Sequence, residues 1–251
     1  QLMKNLFFKL FGYAFNGDIA LYDRYVWLKK NLVMINKNSN LLDIGCGNGW
    51  ALFASQKIGF KKIVGLTWDK QDVDKIRERS KKIKNLDLIV GDARKLDEIK
   101  FEMKFDAIVN CENIEHIIDD DKLIKDILNI LNERGLLYLT TPNILFKKVY
   151  GDKDIANPPI EDGSHVVRGY SKERLEKILS KYNLNIISTN YIGGIFSRNL
   201  LSIERFFPSK NFKIFLIPFK IIANFLDNIL FSGNKNNTSI AIVAEKFKNN
   251  F

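Results

Sequence analysis

The residues best placed to do chemistry fall in two clusters. The first is Glu112-Asn113-Ile114-Glu115-His116, and the second is His165 in Gly163-Ser164-His165. Two carboxylates three positions apart, with a histidine beside the second, converge if a strand gives way to a helical turn. His116 and His165 are the chain's two histidines. Together with Glu112 and Glu115 they form a mixed oxygen and nitrogen donor set, suited to a divalent ion such as Mg²⁺ or Mn²⁺. Without an ion, His116 or His165 is a candidate general base for a hydroxyl, and a carboxylate such as Glu112 can favour a helix N-terminus. A third cluster, Gly45-Cys46-Gly47-Asn48-Gly49, could bring backbone against a ligand. Glycines turn tightly and leave room, and a following helix N-terminus offers free N–H groups. Its third glycine comes too early for the dinucleotide spacing G-x-G-x-x-G.

The elements that must position these residues alternate short apolar runs with longer helical patterns, the mark of a parallel α/β sheet. Strands are expected at 41–44, 62–66, 86–90, 105–110 and 136–140, with two more at 184–189 and 239–244. Helices are expected at 50–58, from Asp69 to about Ile83, at 119–131 and, capped by Ser171, through Lys181. Gly135 sits where a helix stop belongs. The stretch 142–169 contains Asn157-Pro158-Pro159 and reads as a loop. Chemistry-bearing residues therefore follow the first and fourth strands, with His165 in the loop at 142–169.

Asp43-x-Gly45-Cys46-Gly47-x-Gly49 behind a first strand resembles the first motif of class I S-adenosylmethionine-dependent methyltransferases. Gly91-Asp92-Ala93 resembles that family's adenine-reading segment, and Phe105–Asn110 its fourth strand. The resemblance implies an α/β, doubly wound, Rossmann-like seven-stranded sheet with an antiparallel last strand. It also implies S-adenosylmethionine as cofactor. Asp43, Gly45, Cys46 and Gly47 would surround the methionine end, Asp92 and Ala93 the adenine, and Cys111 would join them. The family usually ends strand two with an acidic residue for the ribose hydroxyls, but Thr67 stands there. Gly65-Leu66-Thr67 is similar to the cyclopropane fatty acid synthase branch, which places Thr67 and Trp68 at the ribose and adenine. Asp69 is the nearest carboxylate, or else a helix cap.

Glu-x-x-Glu-His with a later Gly-x-His resembles the O-methyltransferases of ubiquinone synthesis. The same residues with Thr141-Pro142-Asn143 resemble the small-RNA 3′-terminal ribose methyltransferases. Both imply Glu112, Glu115, His116 and His165 as metal ligands.

The chain has 251 residues, 39 Lys+Arg against 29 Asp+Glu, and 46% hydrophobic residues. That composition excludes a disordered chain, and two isolated cysteines exclude a disulfide framework. The charge of +10 invites anionic partners. The first residues lack a secretory layout and no run is long and apolar enough for a membrane span, so a cytoplasmic location is expected. Leu2, Met3, Leu6, Phe7, Leu10 and Phe11 share one helical face. Behind Pro218, residues Phe219, Ile222, Ala223, Leu226 and Ile229 share another, with Lys220, Asn224, Asp227 and Asn228 opposite and Arg205, Lys210 and Lys213 just ahead. Such amphipathic flanks either close a lid over the site or lie on the inner membrane face.

The expected division is an N-terminal helical cap at 1–37, a cofactor-binding domain at 38–194 and 237–251, and an insertion at 195–236. The expected activity is O-methylation of a small-molecule, lipid or glycan acceptor. The alternatives are an RNA ribose 2′-O-methyltransferase and a non-catalytic cofactor-binding protein. No basic stretch interleaved with aromatics offers a track for bases, which argues against nucleic acid. The oligomeric state stays open.

Overall fold

The computed structural model describes residues 17–247 except 34, 37, 82, 147–159 and 208. Helix α1 (Ile19–Leu32) leads into β1 (Asn40–Ile44), α2 (Trp50–Gln56), β2 (Lys62–Thr67), α3 (Lys70–Arg79) and β3 (Leu86–Val90). Then come β4 (Phe105–Cys111), α4 (Asp120–Ile130), β5 (Leu131–Pro142), α5 (Lys172–Lys181) and β6 (Leu184–Ile192). Three helices, α6 (Ile195–Phe206), α7 (Lys210–Phe215) and α8 (Ile217–Leu230), precede β7 (Ser239–Lys246).

The seven strands form one sheet in the order β3-β2-β1-β4-β5-β7-β6, with β7 antiparallel to both neighbours. This is the doubly wound, Rossmann-like arrangement that the sequence implies. Successive residues face opposite layers, as strand geometry requires. Leu42, Ile44, Ile108 and Leu137 pack with Leu123 and Ile127 of α4 and Leu175 and Leu179 of α5. Leu41, Ala107, Val109 and Tyr138 pack with Trp27 and Leu28 of α1 and Leu52 of α2. Both faces are covered, which explains the near-continuous apolar runs of β1 and β4. The strand order reverses beside β1, and a crevice opens there beyond the carboxyl ends of β1 and β4.

Three local expectations change. The charged helix ends at Arg79, short of Ile83, because Ser80 closes it with bonds to Ile76 and Arg77 carbonyls. Gly135 is no helix stop: α4 ends at Ile130 and Gly135 lies inside β5. The left-handed residue there is Arg134 (φ +62°), while a side chain at Gly135 would meet the Asn132 carbonyl at 2.8 Å. Strands β6 and β7 are longer than expected, reaching Ile192 and Lys246. The apolar face expected at residues 2–11 and the Asn157-Pro158-Pro159 turn lie outside the described residues.

Candidate active site

The glycine turn closes β1. Gly45, Gly47 and Gly49 have φ of +74°, +46° and +79°, conformations that side-chain-bearing residues resist. The Leu66 carbonyl accepts from both Gly45 and Cys46 N–H at 2.9 Å, tying the turn to β2. A Cβ at Gly45 would strike Asn113 Oδ1 at 2.5 Å, whereas one at Gly47 meets nothing nearer than 3.9 Å. Gly47 therefore faces open space in the crevice.

That space is a cavity of about 250 Å³. Its walls include Gly45, Gly47, Thr67, Trp68, Asp92, Ala93, Glu112 and His116, drawn from the ends of four strands. Asp43, Cys46 and Cys111 are not among them. Each is almost fully buried, so the structure does not bring these three to the wall. Burial raises the Asp43 carboxyl to about 8 and leaves its Oδ2 without a hydrogen-bond partner. Burial also pushes the Cys46 and Cys111 thiols up, which removes thiolate reactivity.

Thr67 ends β2 and Trp68 projects beside it, its indole against Gly163. Asp69 serves as the cap of α3, accepting from Gln71 N–H at 2.8 Å, and does not line the cavity. Asp72, one turn further, does.

Asp92 is gripped by Arg94, whose Nε lies 2.9 Å from both carboxylate oxygens. Those hydrogen bonds hold the Asp92 carboxyl below its usual range. Arg94 also reaches the Glu161 carboxylate at 3.2 Å, and Glu161 accepts from Ile118 N–H at 2.7 Å. Arg94 and Glu161 thus pin the segment around residues 161–165 against the cavity.

Glu112 sits at φ +50°, a strained backbone for a residue with a Cβ. Its carboxylate accepts from Thr140 Oγ at 3.2 Å and pairs with Arg24 of α1 at 3.4 Å. Glu115 follows in a 3-10 turn spanning Ile114–His116 and is fully buried. Thr141 Oγ donates to its carboxylate at 3.2 Å, and its carbonyl accepts from Val166 and Val167 N–H. Burial, and then the neighbouring Glu112 charge, hold the Glu115 carboxyl well above the usual carboxylate range. His116 Nδ1 lies 3.0 Å from the Ser164 carbonyl. A carbonyl only accepts, so Nδ1 is the donor in this contact, and in the neutral ring Nε2 is then the acceptor.

The His116 and His165 ring centres lie 4.7 Å apart. Ligand atoms of Glu115, His116 and His165 all fall within 4.8 Å of one another. The sequence expectation of four ligands at one point changes here. Glu112 is not in this group, because Thr140 and Arg24 turn its carboxylate away.

Residues 35–183 match a family described as a methyltransferase domain. The chain belongs to this methyltransferase family. The seven-stranded architecture and the glycine turn are those of its class I, S-adenosylmethionine-dependent members. A ubiquinone biosynthesis O-methyltransferase of Pelagibacter ubique is 34% identical over 112 residues, which are 44% of this chain and 45% of that protein. The (S)-coclaurine N-methyltransferase of Papaver somniferum is 30% identical over 126 residues, 49% of this chain and 34% of that one. The chain thus spans less than half the length of these curated relatives. Among solved structures, the N-methyltransferase NodS of Bradyrhizobium japonicum, in complex with S-adenosyl-L-homocysteine, shares the fold. Its TM-score is 0.55 at 14% identity, over 90% of this chain and 86% of that one.

Several residues of the candidate site escape a reading of the sequence. Arg24 lies in a helix with no motif, and only tertiary packing carries it to Glu112. Arg94 and Glu161 are separated along the chain by β4, α4, β5 and their loops, so nothing local pairs them. Asp72 could have been found, since it lies three positions beyond Asp69 on the helix that follows the ribose-facing strand.

Proposed function

We propose that the chain transfers a methyl group from S-adenosylmethionine to a hydroxyl of a small-molecule, lipid or glycan acceptor, with His116 as the base. The position of the His116 ring supports this reading: it lines the cavity, and the Ser164 carbonyl 3.0 Å from Nδ1 favours the neutral tautomer in which Nε2 is the acceptor. The cavity fits the cofactor in that Gly47 leaves unfilled space at the turn. Beside it, Thr67, Trp68 and Asp92 offer polar and aromatic contacts for a nucleoside. When bound, S-adenosylmethionine supplies a methyl group on a positively charged sulfur.

The protein's own contribution is alignment, dryness and proton removal. A hydroxyl is poorly ionised near neutral pH, so its oxygen needs a base as the new bond forms, and His116 Nε2 can take that proton. The Arg94–Glu161 contact holds the covering segment down and keeps water out. An amine acceptor would need less help, and the relatives include both O- and N-methyltransferases.

A second reading has one specific support. Glu115, His116 and His165 offer one oxygen and two nitrogen donors, a set that fits Mg²⁺ or Mn²⁺ in kind. Bonds of about 2.0–2.2 Å allow donors at most about 4.4 Å apart, so the group must draw in slightly. A divalent ion there would supply a positive charge that lowers the hydroxyl's pKa.

Labelled methyl transfer tested against hydroxyl, amine and short-RNA acceptors decides the acceptor class. His116→Ala should cut kcat about 10²–10⁴-fold with a hydroxyl acceptor and little with an amine. Equal losses for both would remove the base assignment. Full activity in excess chelator would discard the metal reading and leave His116 to act alone.

A further inference from the structure

Helix α8 is mounted with its faces reversed. Lys220 and Asp227 are buried, while Phe219, Ile222, Phe225 and Ile229 are about half exposed or more, Phe225 reaching 61%. The inner face is occupied by polar pairs. Lys220 Nζ meets Glu204 of α6 at 2.6 Å and the Gly17 carbonyl at 2.6 Å. Asp227 accepts from Phe196 and Ser197 N–H, capping α6, and Asn224 donates to Asp23 of α1 at 2.6 Å. With these pairs inside, the apolar stripe has only the outside left.

That stripe is continuous with its neighbours. The rings of Phe207, Phe212, Phe215 and Phe219 follow one another at 5.0, 6.2 and 5.8 Å, linking the end of α6 through α7 to α8. Phe206 extends it and is 72% exposed. Such a patch on a water-soluble surface marks an interaction site. Among the described residues, none of α6, α7 or α8 lines the cavity, so the lid reading finds no support there.

Charge selects the occupant. Between residues 195 and 236 the acidic residues are Glu204 and Asp227, and both are buried. The charges at or near the surface, Arg198, Arg205, Lys213 and Lys235, are all positive. A second copy would bring the same cations to the same face. An anionic bilayer offers both a charge complement and an apolar layer. None of the described helices is long and apolar enough to cross a membrane, and α6–α8 are short, as segments lying in an interface can be. We infer that the outward face of α6–α8 docks on an anionic lipid surface, with its phenylalanines in the headgroup boundary. The inference does not depend on which acceptor is methylated.

Flotation of the full chain with phosphatidylcholine vesicles, with and without phosphatidylglycerol, tests it. At low salt the protein should float at least tenfold more with the anionic vesicles, and about 0.5 M salt should release it. Phe219→Glu/Phe225→Glu replaces exposed side chains. It should lose flotation at least tenfold while keeping its circular dichroism and its calorimetric affinity for S-adenosylmethionine. Absence of low-salt flotation, or flotation unchanged in the variant, would overturn the inference. So would a concentration-dependent dimer that the variant abolishes, which assigns the face to a second copy. An environment-sensitive probe on Ile222→Cys that is already shielded without vesicles, at every protein concentration, would assign it to residues 1–16.

Discussion

Arg24 in α1 and Glu112, just beyond β4, form an ion pair of 3.4 Å, with only 16% and 23% of their side chains exposed. It joins the helix that precedes the sheet to a strained residue of the candidate site. Arg24→Met should leave Glu112 partly buried and uncompensated, at about 1–3 kcal/mol of stability. Adding Glu112→Gln should recover most of that loss in urea unfolding, because the amide still accepts from Thr140. A double variant no more stable than Arg24→Met would show that the pair contributes nothing beyond packing.

Gly47→Val should abolish binding of S-adenosylmethionine in calorimetry. The protein itself leaves room for a side chain there, so the added methyls would fill ligand space. The φ of +46° adds a strain of about 1–2 kcal/mol, which a thermal melt will register as a modest shift. Unchanged affinity would move the methionine end away from this turn.

Stability should fall as pH rises through the neutral range. Burial raises the Asp23 carboxyl to about 7, so the folded protein keeps a proton that the unfolded chain gives up near 4. Between those values the folded state binds more protons, and its advantage shrinks with rising pH before levelling off above 7. Asp43, raised to about 8, acts in the same direction. Asp23→Asn should flatten the slope by close to one proton and stabilise the protein at pH 8 relative to pH 5. Urea midpoints at the two pH values measure this, and parallel changes in variant and parent would refute it.

Lys220→Met should be among the more damaging substitutions in the insertion. It strands Glu204, whose other oxygen accepts from Ile19 N–H at 2.8 Å, as a buried charge. The expected loss is about 3–5 kcal/mol, and Lys220→Met/Glu204→Met should restore much of it. Additive losses in the double variant would mean that the two residues do not act as a pair.

The fold was legible because a doubly buried parallel sheet writes itself as apolar runs broken by glycine turns, as Leu41–Ile44 and Lys62–Leu66 do, and the half-buried edge strand Leu86–Val90 keeps enough of the pattern to be read. The site was legible where its residues follow a strand directly, as Gly47, Thr67, Asp92 and Glu112 do. It was not legible where an approach depends on tertiary packing. Arg24, Arg94 and Glu161 carry no local signal, and Glu112 looked like a partner of Glu115 in one ligand set, but its carboxylate is engaged by Thr140 and Arg24. Helix α8 was open for a different reason. Its sequence leaves lid and membrane face as alternatives, and the side that turns inward is set by the pairing of Lys220 with Glu204 and of Asn224 with Asp23.

Strand β7 lies between β5 and β6, yet it is made after both, with the whole of α6–α8 interposed. On a ribosome, β6 therefore emerges with no strand to pair with, and it waits for residues 193–238 to be translated before its partner arrives. At about 5–20 residues per second that interval lasts a few seconds, during which Leu184–Ile192 is an unpaired strand open to wrong neighbours. Early packing of α6 on α8 would shorten the search by bringing Ile192 and Ser239 together, so the insertion doubles as a template for closing the sheet.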